Sequence, residues 1–268
     1  MNGQAAELWF LKEAFHEDLQ MLDCFTDGID FIRQRNWQCL PLVEEVTATE
    51  ALLLAPPWIL LRTIAERANN HGGLAPAFVL SFIRDLARDI ATEPETVVRS
   101  LSPNAMAVSI FGRPRLLDLS IARFKRRRSE TTPGVIKGEI SFMSPELVRG
   151  RPLDARSDVF ALGLIAFELL TGVRAFRGGN DLDSLQRIAR ADFPSLPRLR
   201  ETHPPVLADL VTRMLARERD GRPWPQELVT LTETAPDLAP FRWTNEQMFD
   251  EIRRVAPADV DEAITYGL

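Results

Sequence analysis

The run Val159–Leu170, VFALGLIAFELL, constrains the fold of this chain more than any other stretch. It is apolar around nearly its whole circumference and is interrupted only by Glu168. A helix with no polar face has to sit inside a shell of other elements. The run is shorter than the ~20 apolar residues a bilayer span needs, and it carries a charge, so it reads as a core helix. Ser157 or Asp158 is expected to cap its start and Gly172 to stop it. The chain has 268 residues, which allows one large domain or two small ones. With 45% hydrophobic and 26% charged residues, disorder is excluded as its main state.

The net charge of −6 speaks against a general nucleic-acid binder. Two cysteines, Cys24 and Cys39, speak against a disulfide framework and against a cysteine-rich zinc module. The first twenty residues carry Glu7, Lys12, Glu13, Glu17 and Asp18, and no signal peptide is visible among them. The expectation is a soluble, cytoplasmic protein with no nucleic-acid and no membrane partner.

Periodicity gives a strand at 6–12, a helix over Phe15–Arg35, and strands at Cys39–Thr47 and Ala51–Ala55, the last stopped by Pro56 and Pro57. A short helix is expected over Ile59–Ala68 and a longer one over Pro76–Ile90. The stretch 97–124 has short β-branched pieces separated by Pro103, Gly112 and Pro114, which suggests a hairpin region. Residues 125–145 read as a long polar loop. Beyond it the chain is helical: Ser157–Leu170, Asp183–Ala191, Pro205–Arg217, Trp224–Thr232 and Asn245–Val255. The layout is a β-rich front third and a helical back two-thirds.

From residue 97 onward the chain resembles the C-terminal lobe of the eukaryotic-like serine/threonine protein kinases, in their bacterial branch. VVRSLSPNA at Val97–Ala105 sits where that family has its catalytic loop, and RLLDLSIARF at Arg115–Phe124 sits at its Asp-Phe-Gly segment. GEISFMSPEL at Gly138–Leu147 matches the end of the activation segment. DARSDVFALGLIAFELLTG matches the large central helix, and LADLVTRMLARERDGR, at Leu207–Arg222, matches the last lobe helices. Order and spacing agree throughout, and only the front third matches loosely. The resemblance implies an α+β, protein-kinase-like fold with a small β-containing N-lobe remnant and a larger, mainly helical C-lobe. It divides the chain into a truncated N-lobe at 1–57, a C-lobe at 58–235 and a C-terminal tail with a short helix at 236–268.

Phosphoryl transfer needs a carboxylate to orient the hydroxyl, an Asn and an Asp on magnesium, a Lys on the phosphates and a Gly-rich cover loop. By the resemblance, the catalytic carboxylate is replaced by Ser100, the loop Lys by Ser102 and the magnesium-binding Asn by Ala105. Asp118 stands at the Asp-Phe-Gly aspartate and is the one remaining metal candidate. Glu139 replaces the activation-segment Thr that usually bonds the catalytic Asp. Lys12 is the candidate phosphate-binding Lys, and Asp27 is the nearest candidate for its helix carboxylate. Only Gly3 is a glycine among the residues before Lys12, so no phosphate cradle is expected. The scaffold positions are present: Asp158 behind the catalytic loop, Glu146 and Arg222 as a buried ion pair, and Arg99, Gly163 and Gly172.

Each of these residues also has an ordinary reading. Asp118 caps a turn if it holds no cation, and Lys12 is an exposed strand lysine if it binds no phosphate. The run Lys125-Arg126-Arg127-Arg128 docks an acidic or phosphorylated partner or is simply solvated. Thr131 and Thr132 are phosphorylation sites or polar loop residues. His16, His71 and His203 lie in different elements and read as ordinary histidines, and Phe241 and Trp243 as residues docking the tail. Two function classes follow. The favoured one is a catalytically inactive pseudokinase acting as a regulatory or scaffold module in signalling, with an unidentified protein partner and no cofactor. The alternative is a weak serine/threonine kinase or another kinase-fold nucleotide transferase, using ATP and Mg.

Overall fold

A computed structural model describes residues 5–10, 42–46, 50–55, 58–93, 95–117, 139–176, 181–193 and 196–267. Strands β1 (Ala5–Phe10), β2 (Leu42–Val46) and β3 (Glu50–Ala55) form an antiparallel sheet of order β1-β3-β2. The register pairs Ala5 with Ala55 and Leu42 with Leu54, with a bulge between Val43 and Glu45. The helix expected over Phe15–Arg35 lies outside the described residues.

A second sheet follows, of order β4-β5-β6, from β4 (Trp58–Leu60), β5 (Met106–Ser109) and β6 (Pro114–Leu116). β4 corrects the expected helix start at Ile59. Ile59 pairs with Val108, so the first two residues of the expected helix extend along β5 and helix α1 begins only at Leu61 (Leu61–Asn69). Ile59 and the entire β5 strand are buried, which is what selects pairing over one more helical turn.

Helix α2 (Pro76–Ala91) buries Phe78, Phe82, Ile83, Leu86 and Ile90 on one face. Helices α3 (Pro145–Val148) and α4 (Ala155–Thr171) follow; α4 is the apolar run, buried on all sides from Ser157 to Leu170. Neither residue expected to cap the start of α4 does so. Its N-cap is Asp154, whose side chain accepts from the Arg156 N–H at 2.9 Å, while Ser157 and Asp158 turn their side chains to partners elsewhere. Gly172 ends the helix in the left-handed region at φ 73, its N–H reaching the Glu168 carbonyl at 2.8 Å.

The rest of the lobe is α5 (Asp181–Arg190), α6 (Leu196–Thr202), α7 (Pro205–Met214) and α8 (Pro225–Thr234). The sequence pattern does not show α6, a short helix with no long apolar stripe. α4 packs against α1, α2, α7 and α8, and so forms the centre of the core. At Gly73 the α1–α2 turn approaches the end of α4 so closely that a Cβ would lie 1.8 Å from the Leu170 carbonyl oxygen. The adjacent Leu74 N–H donates to the Leu169 carbonyl at 2.7 Å.

The tail holds more than the one short helix expected. A 3-10 turn at Pro236–Phe241 leads into α9 (Asn245–Val255), and α10 (Pro257–Gly267) follows. The 3-10 turn contacts α2, α9 contacts α1, and α10 contacts β4. Phe241 and Trp243 pack partly buried against the core. α10 starts with Pro257 at its first position, where the missing N–H costs nothing and the fixed φ suits a helix start. Among the described residues no helix is long and apolar enough to cross a membrane.

Candidate functional site

The loop 97–105 leads from α2 into β5, and its backbone is fixed from behind by one buried carboxylate. Asp158 Oδ2 accepts from the Val98 N–H at 2.8 Å and Oδ1 from the Arg99 N–H at 2.9 Å. Burial pushes the Asp158 carboxyl up to about 7, against the lowering effect of those two N–H groups and of the Arg99 charge. Arg99 sits at φ 65, a left-handed conformation that costs a residue with a Cβ about 1–2 kcal/mol. The two hydrogen bonds to Asp158 hold it there.

The two serine side chains on this loop turn inward. Ser100 is buried and its Oγ donates to the Val98 carbonyl at 3.4 Å. Ser102 is buried, caps the 3-10 turn Pro103–Ala105 and accepts from the Ala105 N–H at 3.3 Å. Ala105 spans to the next strand by its backbone, accepting from the Leu117 N–H at 2.9 Å. Its side chain is a methyl group, so this position does not fit a magnesium ligand. Among the described residues no group of three or more His, Cys, Asp or Glu side chains is placed to hold a metal ion. Lys12, Asp118, Thr131, Thr132 and the run Lys125–Arg128 lie outside the described residues, as do Asp27 and His16.

A second group of charges locks α3 to the late helices. Glu146 and Arg222 form a two-pronged pair, Oε1 to Nη1 at 2.6 Å and Oε2 to Nη2 at 2.9 Å. Ser157 Oγ donates to Glu146 Oε1 at 2.6 Å. Arg222 also donates to the carbonyls of Ala216, Arg156 and Arg217, and its guanidinium lies 4.6 Å from the centre of the Phe160 ring. Burial alone would raise the Glu146 carboxyl; the Arg222 hydrogen bond and charge and the Ser157 hydroxyl outweigh it and hold it below its usual value.

Glu139 is placed beside the loop 97–105, where its carboxylate accepts from Asn104 Nδ2 at 2.8 Å. Arg62, Asn104, Glu168 and Arg174 gather around it. Sequence reasoning did not single out those four. The charge of Glu168 inside an otherwise apolar helix was the one available signal. His71 is exposed, and His203 has its Nε2 3.1 Å from the Leu170 carbonyl oxygen, an arrangement that stabilises a helix end.

The protein kinase domain family matches residues 102–231 of the chain. A tyrosine-protein kinase of Myxococcus xanthus, MasK, is 32% identical over 143 residues, covering 53% of this chain and 22% of that protein. The serine/threonine-protein kinase PknL of Mycobacterium tuberculosis is 31% identical over 162 residues, covering 60% of this chain and 41% of that protein. PrkC of Bacillus subtilis is 26% identical over 158 residues, covering 58% of this chain and 24% of that protein. The matches span less than half the length of these relatives. Over this region the chain is similar to bacterial protein kinases. Its fold is α+β and kinase-like, with a small sheet in front and a helical lobe behind.

Proposed function

We propose that the chain is a pseudokinase, a kinase-like scaffold or regulatory module that engages a protein partner and does not transfer phosphate. The observation that carries this reading is the catalytic loop. At the three positions where the family places a carboxylate, an ammonium and an amide, the chain has Ser100, Ser102 and Ala105. A serine hydroxyl does not act as an acceptor base near neutral pH, and both hydroxyls are bonded to local backbone. The groups that build the lobe, Asp158, Glu146 and Arg222, keep dense hydrogen bonding. A chain with the frame intact and the charge-stabilising groups replaced is suited to recognition rather than chemistry. We place this module in the cytoplasm, in signalling, with no cofactor required.

The test is thermal melting with and without millimolar ATP and magnesium, paired with transfer of radiolabelled phosphate to the chain and to a basic substrate. A ligand at 100 times its dissociation constant stabilises a fold by ~2.7 kcal/mol. The expected result is an unchanged melting temperature and no incorporation. Label incorporation that disappears in Asp118→Asn would overturn the reading and establish an active kinase.

A further inference from the structure

Five side chains from five segments meet on the outer side of the catalytic loop. Arg62, at the start of α1, donates Nη1 to Glu168 Oε1 of α4 at 2.5 Å and Nε to Asn104 Oδ1 at 3.2 Å. Asn104 Nδ2 in turn donates to Glu139 Oε2 at 2.8 Å. Glu139 Oε1 lies 3.5 Å from Arg62 Nη2 and 3.1 Å from Arg174 Nη2. Arg174 Nε lies 3.8 Å from Glu168 Oε1. Two closed rings result: Arg62–Asn104–Glu139, and Arg62–Glu139–Arg174–Glu168. The Arg62 guanidinium also lies 6.0 Å from the centre of the Phe142 ring, in the same short segment as Glu139.

Exposed ion pairs contribute little. Here the side chains of Arg62, Glu139 and Glu168 are only 13%, 18% and 7% exposed, while Arg174 is accessible at 39% and Asn104 is exposed. Among the described residues Glu168 Oε2 is buried with no hydrogen-bond partner, so the carboxylate depends on the two arginines for its compensation. The desolvated charges must stay together, and they sit on separate elements. Neither ring includes the Glu146–Arg222 pair or Asp158.

We propose that these five side chains form a charge latch that pins residues 139–143 onto the catalytic loop without any covalent modification, with Arg174 as its outer, displaceable arm. The latch does not depend on whether the chain transfers phosphate. A partner that engages this face meets the exposed Arg174 and Asn104 first.

Two amides report on the latch. The Phe142 N–H donates to the Glu139 carbonyl at 3.0 Å and the Met143 N–H to the Ile140 carbonyl at 3.1 Å. The experiment is residue-resolved hydrogen exchange on the full chain and on Glu139→Gln, Arg174→Ala and Arg88→Ala. The last removes a half-exposed pair with Glu233 and serves as the control. Glu139→Gln is expected to speed exchange at Phe142 and Met143 by about tenfold or more, and Arg174→Ala by a smaller factor, while Ile165 within α4 and the control variant stay unchanged. Salt at ~1 M should speed the same two amides in the native chain more than in Glu139→Gln. Unchanged exchange at Phe142 and Met143 in both latch variants would overturn the proposal. So would equal acceleration at Ile165, because the charges would then support the whole lobe rather than hold one segment.

Discussion

Glu146 and Arg222, separated by 76 residues in the chain, face each other through two parallel hydrogen bonds of 2.6 and 2.9 Å with side chains 8% and 0% exposed. The pair joins α3, which follows residues 139–144, to the turn before α8, and Ser157 ties it to the first turn of α4. Three elements far apart in the chain are thereby held in one register.

Removing one partner strands the other charge in the core. Glu146→Ala and Arg222→Ala are each expected to destabilise the fold by about 3–5 kcal/mol. Ser100→Ala, which removes a long bond to a carbonyl, should cost less than about 1.5 kcal/mol. Denaturant melts of the three variants check this. Equal midpoints for all three would show that the pair does not carry the register assigned to it.

Asp158 gives the chain an unusual pH response. Its carboxyl is raised from 3.8 to about 7 in the folded state, so the folded chain binds the extra proton between those values. Stability from this group is full below about pH 4 and is lost as pH rises toward 7, the opposite of a salt-bridged carboxylate. Glu146 has a lowered value, so its contribution is present at neutral pH and fades only as pH falls below its ordinary 4.5. Asp158→Asn removes the titration. Its melting temperature should fall less steeply between pH 5 and 8 than that of the native chain, and parallel profiles would rule this account out.

Glu251 caps a helix that has no cap of its own. The N-cap of α2 is Ala75, and its N–H donates to Glu251 Oε1 of α9 at 2.7 Å. Arg254 holds the carboxylate in place at 2.7 and 2.8 Å. Glu251→Ala should cost about 1–2 kcal/mol, as loss of a cap does, and should loosen the first turn of α2. A chemical-denaturation midpoint equal to that of the native chain would remove the tail from the stability of the lobe.

Gly73 tolerates no side chain. Its φ is 105, and an added Cβ would sit 1.8 Å from the Leu170 carbonyl oxygen and 2.5 Å from its carbon, both backbone. Gly73→Ala should destabilise by at least about 2 kcal/mol, strain and overpacking together. Gly150→Ala is the comparison: it also has positive φ, but its Cβ meets nothing within 4 Å, so it should cost distinctly less. Similar thermal shifts for the two would show that the α1–α2 turn yields.

Under the proposed pseudokinase function, returning a carboxylate and an amide to the loop should not by itself give phosphoryl transfer. The double variant Ser100→Asp, Ala105→Asn returns an acceptor carboxylate and an amide. It leaves Ser102 without a charge for the transferring phosphate and Glu139 engaged with Asn104. Each missing positioning group is typically worth about 10² or more in rate. No incorporation of radiolabelled phosphate is expected. Clear transfer that Asp118→Asn abolishes would show that the remaining machinery is complete.

The sequence alone determined the central helix, because a run apolar on every side has only one stable environment. Periodicity also pointed to the helices at 76–90, 205–217 and 224–232 that pack around it. Those signals are local or lie in fixed order along the chain. The tertiary structure decided the rest. Trp58–Leu60 extends as a strand because β5 is alongside it, and α4 is capped by Asp154 because Asp158 is drawn to the loop N–H groups and Ser157 to Glu146. The latch was not legible for the same reason. Arg62, Asn104, Glu139, Glu168 and Arg174 have no common period or motif, and only the packing of α1, α4 and the loop brings their charges within reach of one another.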